Sequence, residues 1–148
     1  MHSLIDSSEK IIKYLNIIHK NYRRKVTAEI GCGEFKDFTV QQISVMMEVG
    51  IEPGITLNEL SKKVKLANST VSGIVDRLEK KNAIVKIRPE NNKRVLSITL
   101  SEEMEKKMKE VKEIKNRYTV QILSRFEEKE IEEILNSLEK LAIEIEKD

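Results

Sequence analysis

The 148-residue sequence predicts a mainly α, α+β chain of six helices and one β-hairpin, with long helices at both ends. Three observations carry this. Thr39/Gln42 and Thr56/Glu59 are two capping boxes in quick succession. Leu96, Ile98 and Leu100 alternate after the β-branched run Ile84–Arg88 and a turn-forming Pro89-Glu90-Asn91-Asn92. Narrow apolar seams run through the first and last helices. A charged fraction of 35%, only two Pro and no Trp agree with long solvated helical faces.

The first helix is expected over residues 4–29. Leu4, Ile11 and Ile18 repeat every seven residues, with Leu15 and Tyr22 between them, a seam suited to a partner chain. Gly31-Cys32-Gly33 ends the helix as a connector and lacks the spacing of a phosphate loop. A single cysteine excludes an internal disulfide and fits a reducing compartment. Cys32 is read as incidental, with a redox-sensing role as the alternative.

Phe38 and Ile43 staple the helix that Thr39 opens, and Ile43, Met46 and Met47 continue its apolar face to Gly50. After the Glu52-Pro53-Gly54 turn, Thr56 opens a short helix lined by Leu57, Leu60 and Val64. Lys65-Leu66-Ala67 must then turn before a helix whose N-cap is assigned to Asn68. There Val71, Ile74, Val75 and Leu78 form one buried stripe, and Asn82 supplies the left-handed stop.

The opposite face of that helix carries short polar side chains at its start and Arg77, Lys80 and Lys81 toward its end. A short helix, a three-residue turn and a helix of this kind make a helix-turn-helix, and the hairpin over Ile84–Leu100 is its wing. Base edges are read by short polar groups and long cations, and phosphates by cations. Asn68, Ser69, Thr70, Ser72 and Arg77 are the candidate readers on the helix, and Arg88, Lys93 and Arg94 those on the wing.

Charge divides along the chain in the same sense. Residues 1–57 are neutral, residues 58–100 carry +6, and residues 101–148 carry −4. A polyanion contact therefore belongs to the middle segment.

Ser101 caps the fifth helix, whose face is Met104, Met108, Val111, Tyr118 and Ile122. After a break at residues 124–127, the last helix repeats Ile131, Ile134, Leu138, Leu141 and Ile145 at coiled-coil spacing. Leu4, Ile11, Leu15, Ile18, Ile131, Leu138, Leu141 and Ile145 are the expected dimer interface. The domains follow: 1–35 as dimerisation helix and connector, 36–100 as DNA-binding domain, and 101–148 as helices completing the dimerisation region.

Several classes are argued against. His2 and His19 are the only histidines, and no Cys/His cluster, nucleophile motif or phosphate loop supports an enzyme, a metal or a cofactor. No apolar run reaches a membrane span and no signal-peptide pattern opens the chain, so a cytoplasmic protein is expected.

The order of elements, with Glu59-Leu60-Ser61-Lys62-Lys63-Val64, Ser69-Thr70-Val71-Ser72, Asp76-Arg77-Leu78-Glu79-Lys80-Lys81, Asn92-Lys93-Arg94 and Ser97-Ile98-Thr99-Leu100-Ser101, resembles the MarR family of winged-helix transcription regulators. The resemblance implies a homodimer, with the terminal helices interleaved, acting as a repressor on a pseudo-palindromic site in double-stranded DNA. It also implies a small-molecule effector site, here drawn from Tyr22, Met46, Met47, Met108 and Tyr118. Four positions depart from the family pattern: Lys65 and Met104 stand where Gly is common, Gly73 where Arg or a polar residue is, and Asn92 where Asp is. The competing reading keeps the fold as a protein-interaction module, against which the +6 segment argues.

Overall fold

A computed structural model describes residues 3–30 and 35–147; Cys32 with its flanking glycines, and His2, lie outside them. The elements in order are α1 (Leu4–Ile30), α2 (Val40–Ile51), β1 (Ile55–Thr56), α3 (Leu57–Val64), α4 (Asn68–Lys80), β2 (Ile84–Ile87), β3 (Ser97–Leu100), α5 (Glu102–Leu123) and α6 (Glu128–Ile145). They form two compact units, residues 27–112 and residues 1–26 with 113–148.

In the first of these units both capping boxes close. The Gln42 N–H donates to Thr39 Oγ1 at 3.2 Å while Gln42 Oε1 accepts from the Thr39 N–H at 3.1 Å. The Glu59 N–H donates to Thr56 Oγ1 at 3.3 Å, and the Glu59 carboxylate accepts from the Thr56 N–H at 3.0 Å. That backbone hydrogen bond, then the hydroxyl, holds the Glu59 carboxyl below its ordinary range.

Helices α3 and α4 end alike. Lys65 and Asn82 both adopt φ of 54°, and the next residue reaches back five positions, Leu66 N–H to Ser61 O at 3.1 Å and Ala83 N–H to Leu78 O at 2.9 Å. This closure satisfies carbonyls that a helix end otherwise leaves open. At Lys65 it is made without the glycine that the conformation favours.

The α4 start corrects the sequence expectation. Ala67, in extended conformation, is the N-cap and has no side-chain cap. Its carbonyl accepts the Val71 N–H at 3.0 Å, so Asn68 is the first helical residue and its side chain is left for other contacts.

The sheet order is β1-β3-β2, all antiparallel, with Ile55 opposite Ile98 and Lys86 opposite Ile98 on the other side. Strand β1 (Ile55–Thr56) is an addition, since the sequence marks this stretch only by Thr56 as a helix cap. Strand β3 begins at Ser97, one residue after the alternation starts at Leu96, because Val95 N–H first closes a turn on Asn92 O at 3.1 Å.

The core of this unit joins Val45, Met46 and Val49 from α2, Ile55, Leu60, the α4 stripe Val71, Ile74, Val75 and Leu78, then Ala83, Ile84, Ile98 and Met104. The α2 face is rotated from the expected one. Val45 and Val49 are buried, while Met47 is 49% exposed. Met104 fills the core where the family pattern often has Gly, and its N–H is capped by Ser101 Oγ at 3.1 Å.

In the other unit, Tyr22 and Tyr118 meet edge to face at 5.2 Å between centroids, and the Tyr22 and Thr119 hydroxyls share a hydrogen bond. The Lys25 ammonium stands 6.0 Å from the Tyr118 ring centroid. The α6 start is fixed by Glu130, whose carboxylate accepts the Glu127 N–H at 2.9 Å. Leu4, Ile11, Leu15, Ile18, Leu138, Leu141 and Ile145 are exposed, and Ile131 is half-buried.

Candidate nucleic-acid interface

Burying Val71, Ile74, Val75 and Leu78 leaves the opposite side of α4 facing outward. Asn68, Ser69, Thr70 and Arg77 are exposed there, and Ser72 is half-buried. At Gly73 a Cβ would meet nothing within 4 Å, so the middle of this face is open.

On the wing, Arg88 differs from its neighbours. Its guanidinium donates to the Lys93 carbonyl at 3.0 Å and so closes the turn between the strands. Asn92, in place of an Asp, accepts the Arg94 N–H at 3.3 Å through Oδ1, and its own N–H donates to Pro89 O at 3.2 Å. The Lys93 and Arg94 side chains are exposed at the tip.

The sequence treats Arg77, Lys80 and Lys81 alike; the structure separates them. Lys81 donates to the Asp37 carbonyl and to Gln42 Oε1 at 3.4 Å, and its ammonium lies 4.8 Å from the Phe38 ring centroid. It is an anchor between the end of α4 and the start of α2.

Lys86 is a second internally engaged cation, one that sequence reasoning missed. It pairs with Asp76 and, at 2.8 Å, with Glu79, tying β2 to α4. Hydrogen bonding to Lys86 holds the Asp76 carboxyl below the usual range, and hydrogen bonds to Asp76 and then Glu79 push the Lys86 ammonium up. A signal was present: β2 alternation puts Lys86 on the face opposite Val85 and Ile87, and a cation on a covered face needs anions.

Of the ten cations in residues 58–100, Lys63 pairs with Glu52 at 2.6 Å, and Lys81, Lys86 and Arg88 are engaged as described. Lys62, Lys65, Arg77, Lys80, Lys93 and Arg94 are exposed without a hydrogen-bond or ion-pair partner for the side chain among the described residues. Two belong to α3 and its turn, two to α4 and two to the wing tip. Among the described residues no group of three His, Cys, Asp or Glu could hold a metal ion, and no helix is long and apolar enough to cross a membrane.

The expected effector residues fall in different places. Tyr22 and Tyr118 touch each other in one unit, and Met46, Met47 and Met108 belong to the other. Met46 is 1% exposed and belongs to the hydrophobic core, Met108 packs partly buried against that core, and Met47 stays out of it.

The MarR family model matches residues 38–96, from the α2 cap to the wing. Over 136 residues the chain is 27% identical to the HTH-type transcriptional regulator SarZ of Staphylococcus aureus, covering 90% of this chain and 79% of that protein. A MarR family protein of Bacillus stearothermophilus superposes with a TM-score of 0.70 at 27% identity, covering 97% of this chain and 99% of that one. From the α2 cap to the wing the chain is similar to the MarR family. Another fold match is FabT of Streptococcus pneumoniae, solved in complex with DNA, with a TM-score of 0.77 at 23% identity over 95% of this chain and 98% of that one.

This winged helix departs from the MarR pattern in ways the structure accommodates. Lys65 takes the left-handed conformation itself, Asn92 holds the Arg94 backbone, and Met104 is absorbed in the core. Gly73 alone leaves a gap in the exposed face.

Proposed function

We propose that this chain is a MarR-family DNA-binding transcription regulator, a repressor that acts as a homodimer on a pseudo-palindromic operator. The observation that carries the reading is the set of six exposed cations on α3 and its turn, α4 and the wing tip, on the same elements that carry the short polar side chains at the start of α4. Cations in such positions contact phosphates, Asn68, Ser69, Thr70 and Ser72 read base edges, and Arg77, long and charged, serves both a phosphate and a base edge. Arg94 and Lys93 extend the contact from the wing.

The exposed apolar residues of α1 and α6 support a second copy as the partner. Leu4, Ile11, Leu15 and Ile18, with Leu138, Leu141 and Ile145, make surfaces that a lone chain would leave in water. In this reading residues 1–35 and 101–148 dimerise and residues 36–100 bind DNA. Two recognition helices then enter successive major grooves about 34 Å apart.

The test is selection of bound sequences from a random DNA pool by the purified chain, with molecular mass measured in solution. The expected result is a two-fold symmetric site and a dimer. Enrichment of no sequence, or of an asymmetric site by a monomer, refutes it.

A further inference from the structure

Asp76 is an awkward residue for a surface that approaches phosphates. It follows Ser72 by four positions and Gly73 by three, and so lies on the same exposed stripe of α4 as two positions of the reading face. Glu79, three further on, adds a second carboxylate. Unopposed, the pair would place two negative charges beside a polyanion.

The wing supplies the opposing charge. Lys86 sits in β2 opposite the fully buried Ile98, so the ladder register fixes where its side chain starts. That side chain is only 21% exposed, and its ammonium holds Asp76 Oδ1 and, at 2.8 Å, Glu79 Oε2. No other cation side chain of residues 58–100 has an ion pair with either carboxylate among the described residues.

We propose that Lys86 is a positioning residue for DNA binding, which draws Asp76 and Glu79 toward the wing and masks their charge. The inference rests on the DNA-binding reading above. Its effect on affinity runs through the two carboxylates, not through a phosphate contact of Lys86 itself.

The test measures affinity for the selected operator by fluorescence anisotropy from about 50 to about 200 mM salt, the range over which phosphate contacts show. Lys86→Met is expected to weaken binding about tenfold and Lys86→Arg to stay within about threefold of the parent, since Arg preserves the charge. Asp76→Asn with Glu79→Gln is expected to bind at least as tightly as the parent. Adding Lys86→Met to that pair should leave affinity within about threefold of the parent, because no carboxylate remains to be masked.

Unchanged affinity of Lys86→Met overturns the proposal, as does a triple variant as weak as Lys86→Met alone, which would show that the lysine stem acts by packing. Should Lys86→Met fail to fold by circular dichroism, the Asp76→Asn/Glu79→Gln pair decides, and a loss of more than about threefold overturns the proposal. A parent protein that enriches no operator removes the DNA-binding reading and this inference together. A parent that binds while its variants are indifferent removes this inference alone.

Discussion

Arg77 and Lys81 are both basic residues toward the end of the recognition helix, yet only one is free to meet a phosphate. Arg77 is exposed without a side-chain hydrogen-bond or ion-pair partner among the described residues, whereas Lys81 holds the Asp37 carbonyl, Gln42 Oε1 and the Phe38 ring. Replacing each by Gln removes the same formal charge. Each phosphate contact contributes about 0.9 to the slope of log affinity against log salt, so six exposed cations per winged helix set a ceiling of about 11 for a dimer. Arg77→Gln, counted twice in a dimer, should lower the slope by about 1.8, which makes the weakening between about 50 and about 200 mM salt roughly tenfold smaller. Lys81→Gln should leave the slope where it is and lower the thermal midpoint instead, since Gln42 would lose one of its donors. Operator titrations at several salt concentrations, with melting curves on the same samples, read both effects. Equal falls in slope for the two variants would refute the division of the cations made here.

Two further outcomes are expected. Lys65→Gly should stabilise the chain by up to about 1 kcal/mol, since the left-handed conformation costs a lysine roughly 1–2 kcal/mol and glycine gives part of that back as unfolded-chain entropy; a lower midpoint in urea would count against it. For Asp76 and Lys86 the signs run in opposite directions. The depressed Asp76 carboxyl contributes stability above its unfolded value of about 4, lost as pH falls through the folded value; the raised Lys86 ammonium contributes below about 10.4, lost as pH rises through its own folded value. Stability from this cluster should be flat between about pH 4 and about pH 10, and Asp76→Asn should shrink the acid-side loss in urea melts. An unchanged acid limb would remove Asp76 from the account.

Much of the winged helix is legible in the sequence because its determinants are local. The Thr39/Gln42 and Thr56/Glu59 boxes, the Asn82 stop and the Ser101 cap each act within five residues. The α4 stripe was equally plain, since four aliphatic positions at helical spacing admit one buried face. Where local signals are weak, longer-range contacts decide. Ala67 displaced Asn68 as N-cap because the backbone bond from Val71 sets the helix start. The α2 face turned toward Val45 and Val49 because packing against the winged-helix core selected among several apolar sides.

What the sequence determines by itself is the order of elements, their caps, the segment that carries the +6 charge and the residue types on the outer side of α4. Tertiary structure decided which of those charges face outward. Ile55 found Ile98 across 43 positions to make a third strand, Lys81 found Asp37 across 44, and Lys86 on β2 found Asp76 and Glu79 on α4. Charge is additive along a chain, but its availability to a ligand is set by the nearest opposite charge or carbonyl in space. Those neighbours come from other elements of the fold, so spacing within one element names neither partner.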